Sequence, residues 1–474
     1  MTPTGLRHRL SAHDSVFLYW ERPEQPMHVG ECMVYRGSIT AADMVRMIEE
    51  RLHLLPRYRQ KVVFTPLSLA HPTWEDDPDF DVRNHVDEMT LPAPGDDVVL
   101  SEVGGRLFSE LLDRSRPLWR LTVLHGHESG NTVVFLKLHH AMVDGVSSIE
   151  LIEVLHSPVG GDRPPSSEPP PRPSPGTIDL VRDAVADRLG AVLDRAGGAV
   201  DLLRPGGPRR LLERLGPLAR AAVDAGPMTV VPPPRTPFNR PISPARQFAW
   251  VELPIDEVAA VRRRLDATVN DLVLAILSGG LGRYMRRHGY PTDGVTLRAM
   301  CPVSVRRSEQ SGAMGNLVSM VVVPLHVGVD DARERLDAER GAMRELKSRR
   351  QANGLHELIA SAEWYPALAY RLLWRMWPRR YFPLNITTTN VAGPRKPLHL
   401  GEHELLHWYP VGVNWTTSGL FLCTLSYREH LTLGFTADPT VVPDLWEATE
   451  DLRASYEELR VAAGVRRGSE KRTA

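Results

Sequence analysis

Cysteine is scarce, with only Cys32, Cys301 and Cys423 in 474 residues. No C-x-x-C pair occurs, so neither a structural zinc spacing nor a disulfide framework is indicated, and the composition fits a reducing cytoplasm. Neither sign of charge is in excess, with 57 basic and 58 acidic residues. Nucleic-acid binders ordinarily carry a basic surplus, so no nucleic-acid partner is expected. Long apolar runs are missing as well: "LVSMVVVPL" (317–325) is about half of what a membrane-spanning helix needs. The opening "MTPTGLRHRLSAHDSVFLYW" has no apolar segment behind its basic residues, so no secretory signal is expected. Peripheral contact with a membrane stays open. A G-x-S-x-G elbow is absent too, which argues against an α/β-hydrolase.

What is present is the balance of a globular protein, 42% apolar and 24% charged, in a chain long enough for two cores. "SPVGGDRPPSSEPPPRPSPG" (157–176) and "VVPPPRTPFNRPISP" (230–244) are too rich in proline for helix or central strand. Between them, Ile178, Val181, Val185, Leu189 and Val192 recur at helical spacing, predicting an amphipathic helix that packs back onto the protein, a membrane-lying role being the alternative. The expected organisation is therefore a lobe over 1–156, a connection over 157–244 and a lobe over 245–474. "GECMVYRG" and "TVVFLKLHH" read as strands and "TAADMVRMIEERLHLLP" and "VLSEVGGRLFSELLDR" as helices, and the second half repeats the mixture. An α/β fold with two similar lobes and a site between them follows.

The stretch "LHHAMVDGVS" (138–147) concentrates the chemistry. Side chains alternate along a strand, so His139 and His140 point to opposite sides and do not form a ready metal pair. Nothing local supplies further ligands, and no metal is expected. Asp144-Gly145 suits a turn into a helix whose first N–H groups Asp144 caps. One reading is a strand, a turn and a capped helix with two incidental histidines. The other is a general base, because a neutral imidazole has the right range to take a hydroxyl proton near pH 7.

H-H-x-x-x-D-G at 139–145 resembles the active-site motif of the CoA-dependent acyltransferase superfamily, to which chloramphenicol acetyltransferase and peptide-synthetase condensation domains belong. The surrounding blocks narrow the resemblance to bacterial wax ester synthase/acyl-CoA:diacylglycerol acyltransferases. "LSAHDSVFLYWERPEQPMHVG" is similar to that family's L-S-x-x-D-x-x-F-L…P-M-H-x-G opening, Pro117-Leu118-Trp119 to its P-L-W block and Asn270-Asp271 to its N-D block. "LRAMCPVSVR", "GNLVSMVVVPL" and "SYREHLTLGFTADPTVVPD" follow in the family's order, so the resemblance spans about 10–460. It departs in "TTNVAGP", where Thr389 replaces a serine while Asn390, Gly393 and Pro394 are kept, and at Arg240, where glycine is common.

The resemblance implies two chloramphenicol-acetyltransferase-like lobes around a tunnel, with direct transfer from an acyl-CoA donor and no bound cofactor. His140 would be the base, His139 a positioning neighbour, Asp144 structural support and Gly145 the residue permitting the turn. Asn270, Thr389 and Asn390 are candidate oxyanion donors, with Asp271 beside them. Pro117, Leu118, Trp119, Asn270 and Asp271 also fit purely structural roles, as a turn with a buried anchor and a helix cap. The acceptor would be diacylglycerol, giving triacylglycerol, or a long-chain fatty alcohol, giving a wax ester; a polyketide or glycolipid alcohol and a non-catalytic lipid-binding role are the alternatives. Such substrates imply a cytoplasmic protein with access to a membrane face or lipid droplet. "WYPALAYRLLWRMWPRRYF" (364–382) sets Trp364, Trp374 and Trp377 among Arg371, Arg375, Arg379 and Arg380, a composition suited to a headgroup interface. The competing reading has the tryptophans facing the core.

Overall fold

The computed structural model describes residues 8–142, 151–156, 173, 175–202, 231–304, 318–348, 365–378 and 381–467. Two six-stranded mixed sheets dominate. The first runs β12 (His399–Leu400), β13 (His403–Val411), β2 (His28–Tyr35), β7 (Thr132–His139), β6 (Trp119–His125), β5 (Val86–Thr90). The second runs β10 (Val318–Leu325), β9 (Leu297–Ser304), β11 (Ile386–Ala392), β14 (Leu420–Tyr427), β15 (His430–Ala437), β8 (Gln247–Pro254). A small sheet of β1 (His8–Arg9), β4 (Thr73–Asp76) and β3 (Gln60–Val63) sits apart. Every residue of β7 is buried, as expected of a central strand covered on both faces.

Helices clothe these sheets: α1 (Ala12–Trp20), α2 (Ala41–Arg51), α3 (Asp97–Ser109), α4 (Thr177–Leu202), α5 (Ile255–Arg264), α6 (Val269–Arg287), α7 (Ala332–Ser348), α8 (Ala367–Met376) and α9 (Leu445–Ala462). In the second lobe α6 is buried nearly all round, between α7, α9 and the sheet. Among the described residues, no single helix is long and apolar enough to cross a membrane.

The chain is not divided as cleanly as the sequence suggests. β13 lies in the range read as the second lobe, yet it pairs antiparallel with β2 and so completes the first sheet. Trp408 on β13 donates from Nε1 to Glu31 Oε2 of β2 at 2.6 Å. Helix α3 closes the other side of the seam against β8. A Cβ at Gly104 or Gly105 would strike the Phe248 ring or the Arg246 carbonyl, so the glycine pair permits this close approach.

The amphipathic helix forms, as α4, but through a different stripe from the one expected. Leu180 and Ala184 are buried, and Asp187 pairs with Arg9 of β1 at 2.6 Å. Ile178, Val185 and Leu189 are exposed instead, Val181 is half-buried, and the side chain of Val192 lies outside the described residues. Helical periodicity identifies apolar stripes, but only the surface available for docking selects which one is covered.

Candidate active site

The site begins with a helix cap. Ser11 accepts the Asp14 N–H at 2.9 Å and shares its hydroxyl with the Asp14 carboxylate at 2.8 Å, so the L-S-x-x-D letters start α1. One turn on, the Phe17 ring stacks on His140, with centroids 3.9 Å apart and planes 9° from parallel. At the C-cap of the same helix stands Glu21, whose N–H bonds back to the Phe17 carbonyl at 3.1 Å. Glu21 Oε1 lies 3.3 Å from His139 Nε2. Helix α1 therefore partners both histidines, Phe17 for one and Glu21 for the other, as the opposed directions of adjacent strand residues require.

Glu21 is the hub of a buried cluster. Its Oε2 receives Arg114 Nη2 at 2.8 Å, and its Oε1 accepts the Met27 N–H at 3.2 Å and lies 3.4 Å from His28 Nε2. Burial works to raise its pKa, but His139 and Arg114 outweigh that and hold the carboxyl well below the usual range. His139 accepts the Ala141 N–H at Nδ1 (3.0 Å), which leaves its hydrogen on Nε2, facing Glu21. His28 donates Nδ1–H to the Phe108 carbonyl at 3.1 Å, and burial pulls it down to about 3 against the pull of Glu21. Lys137, two residues before His139, donates to the Leu107 and Glu110 carbonyls at the C-terminal end of α3, each at 2.6 Å. There it meets the negative end of the helix dipole.

His140 has a different environment. Its backbone N–H bonds the Met27 carbonyl at 2.8 Å, which fixes the chain just beyond β7. Burial depresses the ring pKa to about 4, opposed by its own backbone carbonyl and assisted by His13 and His139. At pH 7 the ring is therefore neutral, with a lone pair to accept a proton. Phe17, Ala141 and Leu118 share an apolar cluster with Leu384, Val413 and Trp415, and Met300 and Val322 of the second sheet pack against it. His140 thus sits at the seam between the two sheets.

The other expected residues scatter. Pro117 and Leu118 are buried, and the Leu118 carbonyl accepts the His139 N–H at 3.0 Å. Trp119 donates Nε1 to the Tyr58 carbonyl at 2.8 Å and stacks on His85, so the P-L-W block braces the end of β7. Asp271 forms a reciprocal cap with Thr268 at the start of α6, and Asn270 sits half-buried in that first turn. On β11, the Thr389 hydroxyl contacts Cys423 Sγ at 3.1 Å, and Asn390 is exposed. Arg240 reaches Tyr290 at the surface. Asp144 and Gly145 lie outside the described residues.

Phe17, Glu21, His28 and Arg114 are site residues that the reading by motif passed over. Phe17 and His28 stood in the opening block as fixed letters; Glu21 and Arg114 carried no such signal.

The tryptophans of the 364–382 stretch also need reassignment. Trp374 and Trp377 pack on Trp20, at 4.9 and 6.2 Å between centroids, and so face inward rather than toward a headgroup layer. The outward face of α8 is Leu368, Leu372, Leu373 and Met376. Arg371 is turned to Ser68 Oγ at 2.8 Å. Trp364, Arg379 and Arg380 lie outside the described residues.

Residues 10–273 match the model of the wax ester synthase/diacylglycerol acyltransferase catalytic domain, and 314–460 match the C-terminal domain of the same proteins. A Mycobacterium tuberculosis protein named as a diacylglycerol O-acyltransferase is 32% identical over 433 residues, 88% of each chain. A Mycobacterium bovis protein with the same kind of name is 31% identical over 96% of this chain and 99% of its own. Among solved structures, the wax ester synthase/diacylglycerol acyltransferase of Marinobacter aquaeolei VT8 superposes with a TM-score of 0.65 at 24% identity, covering 96% of this chain and all of that one. The first condensation domain of the calcium-dependent antibiotic synthetase superposes at 0.60 with 15% identity, over 97% of both.

Proposed function

The chain belongs to the wax ester synthase/diacylglycerol acyltransferase family and is an acyltransferase, and from that premise we propose that it acylates diacylglycerol with an acyl-CoA to make triacylglycerol, with His140 as the base. The neutral His140 ring, held at the seam by Phe17, carries this reading. The imidazole takes the proton of the acceptor hydroxyl as its oxygen attacks the thioester carbonyl carbon. The resulting tetrahedral oxyanion collapses with cleavage of the C–S bond, and the imidazolium returns its proton to the departing CoA sulfur. Ester and free CoA result, and the base is regenerated without a bound cofactor or metal.

His139 positions rather than reacts in this scheme. Both its ring nitrogens are engaged, Nδ1 by Ala141 N–H and Nε2 toward Glu21, so it holds the end of β7 rigid beside the base. Asn270, Thr389 and Asn390 remain the proposed oxyanion donors, and Asp144 the proposed structural support. Diacylglycerol is preferred over a fatty alcohol because the curated relatives carry names for that activity. Such substrates reach the site from a lipid surface, and the exposed leucines of α8 offer a place for a cytoplasmic protein to rest on one.

The test is to supply palmitoyl-CoA with either dioleoylglycerol or hexadecanol and to follow thiol release and neutral-lipid product, with His140→Ala alongside. Triacylglycerol that disappears in the variant, while its circular dichroism stays native, is the expected result. Preference for hexadecanol would make the protein a wax ester synthase. No ester from either acceptor would leave a different alcohol or a lipid-binding role as the better account.

A further inference from the structure

We propose that Glu252, His407 and His430 form a zinc-binding site that bridges the two sheets at the end remote from His140. The ligand atoms these three residues offer all lie within 4.8 Å of one another. Two imidazoles and a carboxylate are the donor set of many zinc sites with an open fourth position.

The fold explains how they meet. On neighbouring antiparallel strands, Glu252 of β8 is opposite Thr432 and His430 of β15 is opposite Pro254. Glu252 and His430 are therefore diagonal neighbours on one face of the second sheet. His407 comes from β13, which belongs to the first sheet, and the register of β13 on β2 shifts between Leu405 and His407. A bulge of this kind re-aims a side chain, and here it presents His407 to Glu252: Nδ1 is 3.1 Å from both carboxylate oxygens. The His407 and His430 rings are 5.7 Å apart between centroids.

The geometry is close to what zinc needs. Bonds of about 2.0–2.1 Å in a tetrahedron place ligand atoms roughly 3.3 Å apart. The Glu252–His407 pair already meets that spacing, and the third ligand atom, on His430, lies within 4.8 Å of both. All three residues are half-buried, beside a pocket of about 180 Å³ lined by Leu406, His407, Arg428, Glu429 and His430 that leaves room for a water ligand. The one cation in the lining, Arg428, is turned to Glu404 at 2.6 Å and so is paired elsewhere. An ordinary histidine–glutamate ion pair accounts for His407 and Glu252 but not for the approach of a second imidazole.

The site is separate from the chemistry. His407 lies opposite Val34, which lies opposite Val133 on β7. From Val133 to His139 is roughly 20 Å along the strand. A bound ion would tie the crossing strand β13 to β8 and β15, and so act on how firmly the lobes are joined.

The experiment uses tag-free full-length protein, stripped with a chelator and titrated with ZnCl₂ by calorimetry, alongside His407→Ala and His430→Ala. Wild type is expected to take up one tight equivalent and to gain about 2–4 °C in Tm at saturation. Each variant should bind at least tenfold more weakly and lose that gain, while its zinc-free Tm and circular dichroism match wild type. Absence of a tight equivalent, or identical titrations in all three, would overturn the proposal, since exposed histidines such as His53, His288 and His399 bind zinc loosely. Should a variant fail to fold, cobalt(II) added to wild type decides: intense visible bands of a four-coordinate site support the proposal, and a pale six-coordinate spectrum refutes it.

Discussion

Phe17 and His140 lie face to face at 3.9 Å, and this stack orients the imidazole and covers one of its faces. Burial is the leading cause that lowers the His140 pKa to about 4, and a base with a lowered pKa stays unprotonated, hence active, further into acid. Phe17→Ala hydrates the ring, favours the cation and should move the acid limb of kcat/KM upward, by roughly 1–2 units toward the free value. Because the base is also less well aimed, kcat should fall by about one to two orders of magnitude. A pH–rate profile whose acid limb stays in place would show that Phe17 does not govern the protonation of the proposed base.

Glu21 holds Arg114, the Met27 N–H and His139 around one buried carboxylate. Glu21→Gln removes the charge and keeps the shape. Breaking a fully buried pair costs about 3–5 kcal/mol, but Arg114 is about one-third exposed and rehydrates, so about 2 kcal/mol is expected. Urea unfolding measures this directly. A positioning role also requires kcat to drop in the folded variant with little change in KM for acyl-CoA; a stability loss with normal kcat would leave Glu21 purely structural.

Trp119 and Asp271 each make a contact that braces the fold. Trp119→Phe loses the hydrogen bond to the Tyr58 carbonyl, and Asp271→Ala loses half of the reciprocal cap of α6. Each should cost about 1 kcal/mol. Activity per folded molecule should remain near wild type in both. A large fall in kcat for Asp271→Ala would move that residue into the reaction.

Helix α8 divides its two faces between core and surroundings. Leu372→Asp with Met376→Asp should weaken binding to phospholipid vesicles and slow acylation of vesicle-borne diacylglycerol, leaving Tm close to wild type. Trp374→Ala should do the reverse, costing roughly 2–3 kcal/mol of stability because its ring packs on Trp20. Flotation with liposomes distinguishes them, and unchanged flotation in the double variant would remove α8 as the lipid-facing element.

Much of the site was legible because its signals are local. The alternation of β7 separates His139 from His140 within two residues, and the helix cap expected at Asn270-Asp271 is present, made by Asp271 with Thr268. Phe17 was legible as a letter but not as a partner, since nothing near it in the chain says that a ring more than a hundred residues on will stack against it.

By itself, then, the sequence determined the period of each element, its caps and breaks, and the residue types available for acyl transfer, all of which depend on neighbours a few positions away. Only tertiary structure decided that β13 crosses into the first sheet, that Glu21 and Arg114 converge on His139, that α4 docks through Leu180 and Ala184, and that Trp374 turns inward while Leu372 turns out. Backbone pairing and apolar burial are indifferent to distance along the chain. A strand accepts any partner whose register and faces match, and an amphipathic helix accepts whichever surface removes the most apolar area from water.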